Sequence, residues 1–243
     1  MEKNSRQRSV KIISEIHPQH HGSMSEVERM ILQSKLAGAD VVKVQLYSSK
    51  NIWGDLSREY LSITKNELIH IQNYCKKIGI ELSASVFDDE KLEWCEEIGM
   101  TFYKIASRTV KENIKLCEKI INTKKEVLIS LGMYDWTKGF PFKSDNIKYL
   151  YCISNYPTHL TELNFPKFTK DNFYGYSDHT IGIAACLHAV SLGAKVIEKH
   201  FSNNKSLQVE SQMAHGCSMD FNDLSLLRNL TDSITLINSS KKD

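Results

Sequence analysis

An α/β fold, a closed (β/α)8 TIM barrel, is predicted by three features of this sequence. Short β-type runs alternate with helical runs almost throughout, glycine closes several of the helical runs, and eight such units fit within 243 residues. A single barrel of this kind takes about 250 residues. Strand–helix alternation argues for a parallel sheet with right-handed crossovers, and eight units at this length favour closure over an open doubly wound sheet. No GxGxxG or GxxxxGK[ST] occurs, so the phosphate loops of common nucleotide folds are missing.

Strand one is predicted over 10–16, and apolar positions at helical spacing over 25–37 end at Gly38. Strand two covers 41–46, and a long loop through Trp53 and Tyr60 leads to a helix over 65–77 closed by Gly79. Strand three is 80–84 with a helix over 88–98 ending at Gly99, and strand four is 102–106 with a helix over 111–122. Strands five to eight are 126–130, 147–153, 173–176 and 195–198, and the last helices are 181–192 and 222–237. One unit is defective. Gly132, Gly139 and Pro141 crowd the interval between Ser130 and Ile147, so the helix after strand five is expected to be shortened or missing. The unit after strand six, 156–166, is short as well. The expected organisation is one barrel domain over 1–243.

Apolar content of 41% and charged content of 25% are those of an ordinary globular protein with a sizeable core. Thirty-one basic against 29 acidic residues leave a formal net charge of +2, which gives no push toward nucleic acid or an anionic membrane. No stretch reaches the roughly 18 apolar residues of a membrane span, and the polar residues 1–8 contain no signal-peptide core. Six cysteines are scattered without a CxxC, which points to reduced, buried thiols and a cytoplasmic location.

In a barrel, chemistry gathers on the rim where the strands end. Those ends carry Glu15, Lys43 with Gln45, Ser85, Lys104 with Ser107, Ser130, Ser154 with Tyr156, Ser177 with His179, and Glu198 with His200. His200 follows His179 by 21 residues, one βα step, so both imidazoles reach the same rim and can share a divalent metal. Asp178 and Glu198 add acidic groups on the same two strand ends. Lysines inside apolar strands are costly unless paired; two of them with several hydroxyls make an anion pocket for a phosphate and a carboxylate. Taken singly, each has a bland explanation: a strand lysine commonly snorkels outward, and a strand-end serine commonly caps the next helix. The full set, one polar residue or more on every strand, favours a site. His70 and His188 fall on helices and are expected to be structural, and His159 to lie on a surface loop. His17, His20 and His21 sit in the loop after strand one, where one of them can line the site.

At these residues the sequence resembles the sialic acid (N-acetylneuraminate) synthase family, in its catalytic barrel domain. The matching segments are Ile13-Ser14-Glu15-Ile16 with His20 and Gly22, Ala37 through Gln45, Tyr103-Lys104-Ile105-Ala106-Ser107, Ser130 with Gly132-Met133, Cys152 with Tyr156-Pro157-Thr158, Gly175 through Thr180, and Leu192-Gly193-Ala194 leading to Glu198-Lys199-His200-Phe201. The resemblance implies a transferase that condenses phosphoenolpyruvate with an aldose resembling an N-acylhexosamine, giving a nonulosonic 3-deoxy-2-keto sugar acid. By it, Lys43, Ser85, Lys104, Ser107, Ser130, Ser154 and Ser177 hold the phosphate and carboxylate of phosphoenolpyruvate. His179 and His200 bind a divalent metal, typically Mn2+, with Mg2+ or Co2+ as alternatives. Glu15 and Glu198 position or deprotonate water and sugar hydroxyls, and Tyr156 touches the sugar.

Four departures from the family pattern stand out. Gln19-His20-His21 replaces an asparagine–histidine pair, Arg108 stands where a glycine usually follows the lysine–serine strand, and Leu131 replaces a small polar residue. After strand eight, Gln212-Met213-Ala214-His215 replaces a Gly-Pro-Asp-His stretch and lacks its carboxylate. The family's C-terminal antifreeze-like (SAF) domain, which reaches into a partner subunit and offers an arginine to the sugar's acyl group, is expected to be absent. A homodimer, or a separate protein bearing that domain, is the partner this implies. Two other functions compete: a metal-dependent 3-deoxy-keto acid synthase or lyase acting on a sugar phosphate, with Arg108 and Lys138 as candidate phosphate ligands, and a non-catalytic ligand-binding pseudoenzyme.

Overall fold

Eight parallel strands close into a barrel in sequence order, β1 to β8, in the computed structural model, which describes residues 9–207 and 213–240. Residues 1–8, Gln212 and the terminal Lys241-Lys242 lie outside the described residues. The strands are β1 (Lys11–Glu15), β2 (Val41–Leu46), β3 (Glu81–Val86), β4 (Phe102–Ile105), β5 (Glu126–Ser130), β6 (Ile147–Cys152), β7 (Phe173–Asp178) and β8 (Val196–His200). The helices are α1 (Met24–Ala37), α2 (Ser49–Trp53), α3 (Lys65–Ile78), α4 (Asp89–Glu97), α5 (Ser107–Glu112), α6 (Ile114–Asn122), α7 (Ala184–Ser191) and α8 (Phe221–Ser239). Closure is made by β1 against β8, which sets Glu15 beside His200 on one side and beside Lys43 of β2 on the other.

Several boundaries differ from the sequence expectation. The single helix expected over 111–122 is two, α5 and α6, broken at Asn113 (φ −144°, ψ 71°), whose side chain accepts the Leu116 N–H at 3.1 Å and caps α6. Helix α7 starts only at Ala184, because Gly182 (φ +76°) holds the chain in a left-handed turn. Strands β3, β7 and β8 each run two residues farther than expected.

The shortened unit after β5 is as expected: only the 3-10 turn Trp136–Lys138 stands there, and after β6 only Leu160–Glu162. Aromatic side chains cover the barrel instead. Phe140 stacks on Tyr149 at 4.4 Å, Trp136 meets Phe173 edge-on at 5.2 Å, and Phe165 meets Tyr176 at 5.0 Å. Large rings bury much area per residue, so a few loop aromatics replace a helix.

Strand alternation decides what fills the barrel interior. Ile13, Val41, Phe102, Leu128, Leu150 and Val196 form an apolar floor separate from the main core. Ser83 and Gly175 hold the same level on β3 and β7. Any Cβ at Gly175 would come within 2.2 Å of the Val196 carbonyl oxygen, so only glycine fits there. Outward residues such as Val42, Tyr103, Ile129 and Ile197 pack under the helices in the main core. Two residues above the floor on every strand, the interior turns polar: Glu15, Lys43, Ser85, Lys104, Ser130, Cys152, Ser177 and Glu198.

Candidate active site

That polar ring is the base of a cleft of about 760 Å3, counted to its open mouth, and all twelve residues expected at the site line it: Glu15, Lys43, Ser85, Lys104, Ser107, Ser130, Ser154, Tyr156, Ser177, His179, Glu198 and His200.

Both strand lysines are buried and paired. Lys43 makes an ion pair with Glu15, lies 3.9 Å from Glu198 Oε2 and donates to Ser85 Oγ at 3.1 Å. Lys104 lies 3.7 Å from Glu198 Oε1 and donates to the Ile105 carbonyl at 3.1 Å. Ser177 Oγ donates to Glu198 Oε1 at 2.9 Å. Burial pushes the Glu15 carboxyl up despite the pull of Lys43, whereas Lys104 and Lys43 outweigh burial at Glu198 and hold it below the ordinary range. Burial likewise lowers Lys104, with Glu198 offsetting part of the effect. Two carboxyls pushed in opposite directions, one able to take and release a proton and one fixed as an anion, are a means of dividing acid–base labour. Ser130 Oγ and Glu198 Oε2 are buried without a hydrogen-bond partner; unmet polar atoms in a cleft call for a ligand.

His179 and His200 face one another across the cleft with ring centroids 5.7 Å apart, and Tyr156 packs 4.1 Å from the His179 ring. Each ring uses Nδ1 on the protein: His179 donates to the Ile153 carbonyl at 2.7 Å, and His200 donates to Gln19 Oε1 at 2.9 Å. Those bonds fix the tautomers and leave each Nε2 lone pair for a ligand, the usual support for metal-binding histidines. The donor set therefore fits a divalent cation. Among the described residues no group of three or more His, Cys, Asp or Glu side chains is arranged to hold a metal, so such an ion would complete its shell with water or substrate oxygens.

One expectation is corrected. Asp178 does not join the acidic groups beside the imidazoles, because it alternates outward from Ser177 and His179. Its carboxylate is fully buried against Lys199 Nζ at 2.6 Å. Tyr176 Oη, the Thr180 N–H and Cys186 Sγ complete its shell at 2.7, 2.8 and 3.1 Å. Lys199, between Glu198 and His200, is a buried strand lysine that reading the strand ends alone passed over.

Of the two candidate cations for a sugar phosphate, Arg108 borders the cleft and pairs with Glu112 at 3.3 Å. Lys138 is exposed, pairs with Asp135 at 3.1 Å and does not line it. His17 borders the outer part of the cleft, together with Met213 and Ala214. His215 is buried against Ser202 Oγ at 2.7 Å and lines neither part. His70 pairs with Glu28 on the surface, and His159 flanks a 3-10 turn. Leu131 is buried, and all six cysteines are free and buried. No helix among the described residues is long and apolar enough to cross a membrane.

The strand-end criterion also passed over Tyr47, Trp53, Phe87 and Met133, which line the cleft. Tyr47 had a signal: Lys43, Gln45 and Tyr47 are spaced by two, one side of an extended chain. Gln19 had none, since its bond to His200 spans 181 positions.

The NeuB family profile matches residues 56–242. The N-acetylneuraminate-9-phosphate synthase of Drosophila melanogaster is 30% identical over 259 residues, covering 93% of this chain and 68% of that protein. The Homo sapiens protein of the same name is 30% identical, covering 80% of this chain and 62% of its own length. This chain thus spans about two thirds of those relatives. A solved N-acetylneuraminic acid synthetase from Leptospira borgpetersenii superposes with a TM-score of 0.82 at 28% identity, covering 94% of this chain and 85% of that one. With the profile covering most of the barrel, the chain belongs to the NeuB family.

Proposed function

We propose that this barrel condenses phosphoenolpyruvate with an aldose resembling an N-acylhexosamine, forming a nonulosonic 3-deoxy-2-keto sugar acid in the cytoplasm. One observation carries the proposal: two paired lysines with a set of hydroxyls, and two imidazoles with oriented lone pairs, meet in one cleft around two carboxyls of opposite tuning. The relatives' names support the reaction class and differ over whether the sugar carries a phosphate.

Lys43, Lys104 and the hydroxyls of Ser85, Ser107, Ser130, Ser154 and Ser177 hold the phosphate and carboxylate of phosphoenolpyruvate. A preorganised set of donors of this kind stabilises charge that grows on those groups as the reaction proceeds. Ser107 is braced for this by the Gly132 N–H, which donates to its Oγ at 2.9 Å. His179 and His200 would hold a divalent cation, of which manganese is the first choice, and its chemistry when bound is polarisation of the aldehyde oxygen. C3 of phosphoenolpyruvate forms the new bond to the aldehyde carbon; water adds at C2, and the C2–oxygen bond to phosphate breaks. Glu15, its carboxyl raised by burial, is the group to take the proton from water, while Glu198 stays ionised and faces the cation that develops at C2. Tyr156, packed at a tilt against His179, presents a wall to the sugar. A second copy of this chain, or a separate protein carrying the antifreeze-like domain, is the partner proposed to complete the sugar side.

The test is phosphate release from phosphoenolpyruvate with manganese and a panel of aldoses, N-acetylmannosamine included and each offered with and without a phosphate. Release that depends on one aldose supports the synthase. Retained phosphoenolpyruvate binding with no release on any aldose would make the barrel a ligand-binding pseudoenzyme instead.

A further inference from the structure

Two histidines in the loop after β1 have no part in the scheme above, and one backbone amide fixes where their protons lie. The Gly22 N–H donates to His20 Nδ1 at 3.0 Å. An amide N–H can only donate, so His20 Nδ1 carries the lone pair and its proton sits on Nε2. His20 Nε2 lies 3.0 Å from His17 Nδ1 and therefore donates to it, which places the His17 proton on Nε2. His17 Nε2 lies 3.1 Å from the Tyr47 hydroxyl, which must accept. A phenol that accepts this bond still has its own proton to give. Among the described residues Tyr47 has no second hydrogen-bond partner. Burial holds both imidazoles below their ordinary range, His20 at about 4, so neither ring takes the extra proton that would break the sequence of donors.

The position of Tyr47 indicates what receives that proton. Tyr47 is 3% exposed, its ring wedged edge-on between Trp53 at 4.9 Å and His17 at 5.1 Å. It lines both the inner cleft and the outer pocket shared with His17, Gln45, Trp53, Arg58 and Tyr156. Lys43, Lys104 and Ser85 line only the inner part. Lys43, Lys104 and Ser85 therefore lie deeper than Tyr47, and the tyrosine stands where a second, larger substrate enters.

We propose that Tyr47 is a one-way hydrogen-bond donor to an accepting oxygen of the aldose, with His17 and His20 as positioning residues that hold it in that sense. The identity of the ligand rests on the synthase reading; the polarity of the donor sequence does not. A hydroxyl free to turn would serve a donor or an acceptor alike. One locked as a donor selects an aldose that presents an accepting oxygen, such as a carbonyl, at that point.

The experiment uses the aldose that the panel identifies, N-acetylmannosamine first. Tyr47→Phe keeps the ring and removes the proton; the aldose KM rises roughly fivefold, the weight of one neutral hydrogen bond, and the phosphoenolpyruvate KM stays put. His20→Phe removes the donor to His17 and lets that imidazole turn its lone pair toward Tyr47 and capture the proton. The aldose KM then rises to a similar extent, although His20 lines neither part of the cleft, and the double variant is no worse than either single one. His20→Gln keeps an N–H in place of Nε2 and restores the native KM. Nitrogen-15 shifts of His17 read the same arrangement without turnover: proton on Nε2 in the native protein and in His20→Gln, on Nδ1 in His20→Phe. An aldose KM indifferent to Tyr47→Phe, additive variants, or a native His17 protonated on Nδ1 overturns the assignment while phosphate release stands. No phosphate release with any aldose overturns the synthase reading and the assignment with it.

Discussion

Replacing Asp178 by asparagine isolates the buried ion pair behind the two imidazoles. Both side chains of the Asp178–Lys199 pair are fully shielded, and Lys199 Nζ also donates to the Thr180 carbonyl at 2.6 Å. Burial would raise the Asp178 carboxyl, but Lys199, the Thr180 N–H and the Cys186 thiol outweigh it and hold the group below its usual range. Asparagine keeps the shape but leaves an ammonium in the core without a counter-charge. Removing one partner of such a pair costs about 3–5 kcal/mol, a large part of the roughly 5–15 kcal/mol that holds a domain folded. For a chain of this length each kcal/mol moves Tm by about 2–4 °C, so Asp178→Asn lowers Tm by roughly 6–20 °C. Thermal unfolding followed by circular dichroism measures this directly. The double replacement Asp178→Asn/Lys199→Met, which removes the stranded charge, recovers most of the loss. If Asp178→Asn costs less than about 1 kcal/mol, the pair is not the shielded, mutually dependent unit described here.

Further outcomes follow from individual side chains. His20 is neutral in the fold with its pKa lowered from 6.5 to about 4 by burial, so the unfolded chain binds the proton first on acidification. The associated stability is fully present above pH 6.5 and is lost as pH falls toward 4, by about 3 kcal/mol at about 1.4 kcal/mol per unit. His20→Gln, measured by urea unfolding across that window, flattens this component. Lys104→Met removes a charged donor and weakens phosphoenolpyruvate binding roughly 10- to 100-fold, read by titration calorimetry. Arg108→Ala raises KM about tenfold for a phosphorylated aldose and leaves the unphosphorylated one unaffected, if Arg108 meets a sugar phosphate; equal effects on both would exclude that role. His179→Ala, or chelation of the metal, abolishes phosphate release; undiminished turnover would remove that imidazole from the mechanism.

Much of this molecule is legible along the chain because its rules are local. Barrel strands alternate, so an apolar residue followed two positions later by a polar one, as in Ile13 and Glu15, Val41 and Lys43, Phe102 and Lys104, Leu128 and Ser130, or Val196 and Glu198, already describes a floor with a polar ring above it. Glycines and proline after Ser130 announce the missing helix. Residue type and period two thus determined the fold and the polar ring of the cleft, though not the aromatic and loop residues, Tyr47, Trp53, Phe87 and Met133, that also line it. Tertiary structure alone decided who is paired with whom. Asp178 faces away from the imidazoles it adjoins, Gln19 orients His200 from the far end of the chain, and the amide of Gly22 sets the proton on Tyr47 through two rings. Such contacts depend on distances between segments with no fixed spacing, and on which way a donor points, neither of which a linear pattern encodes.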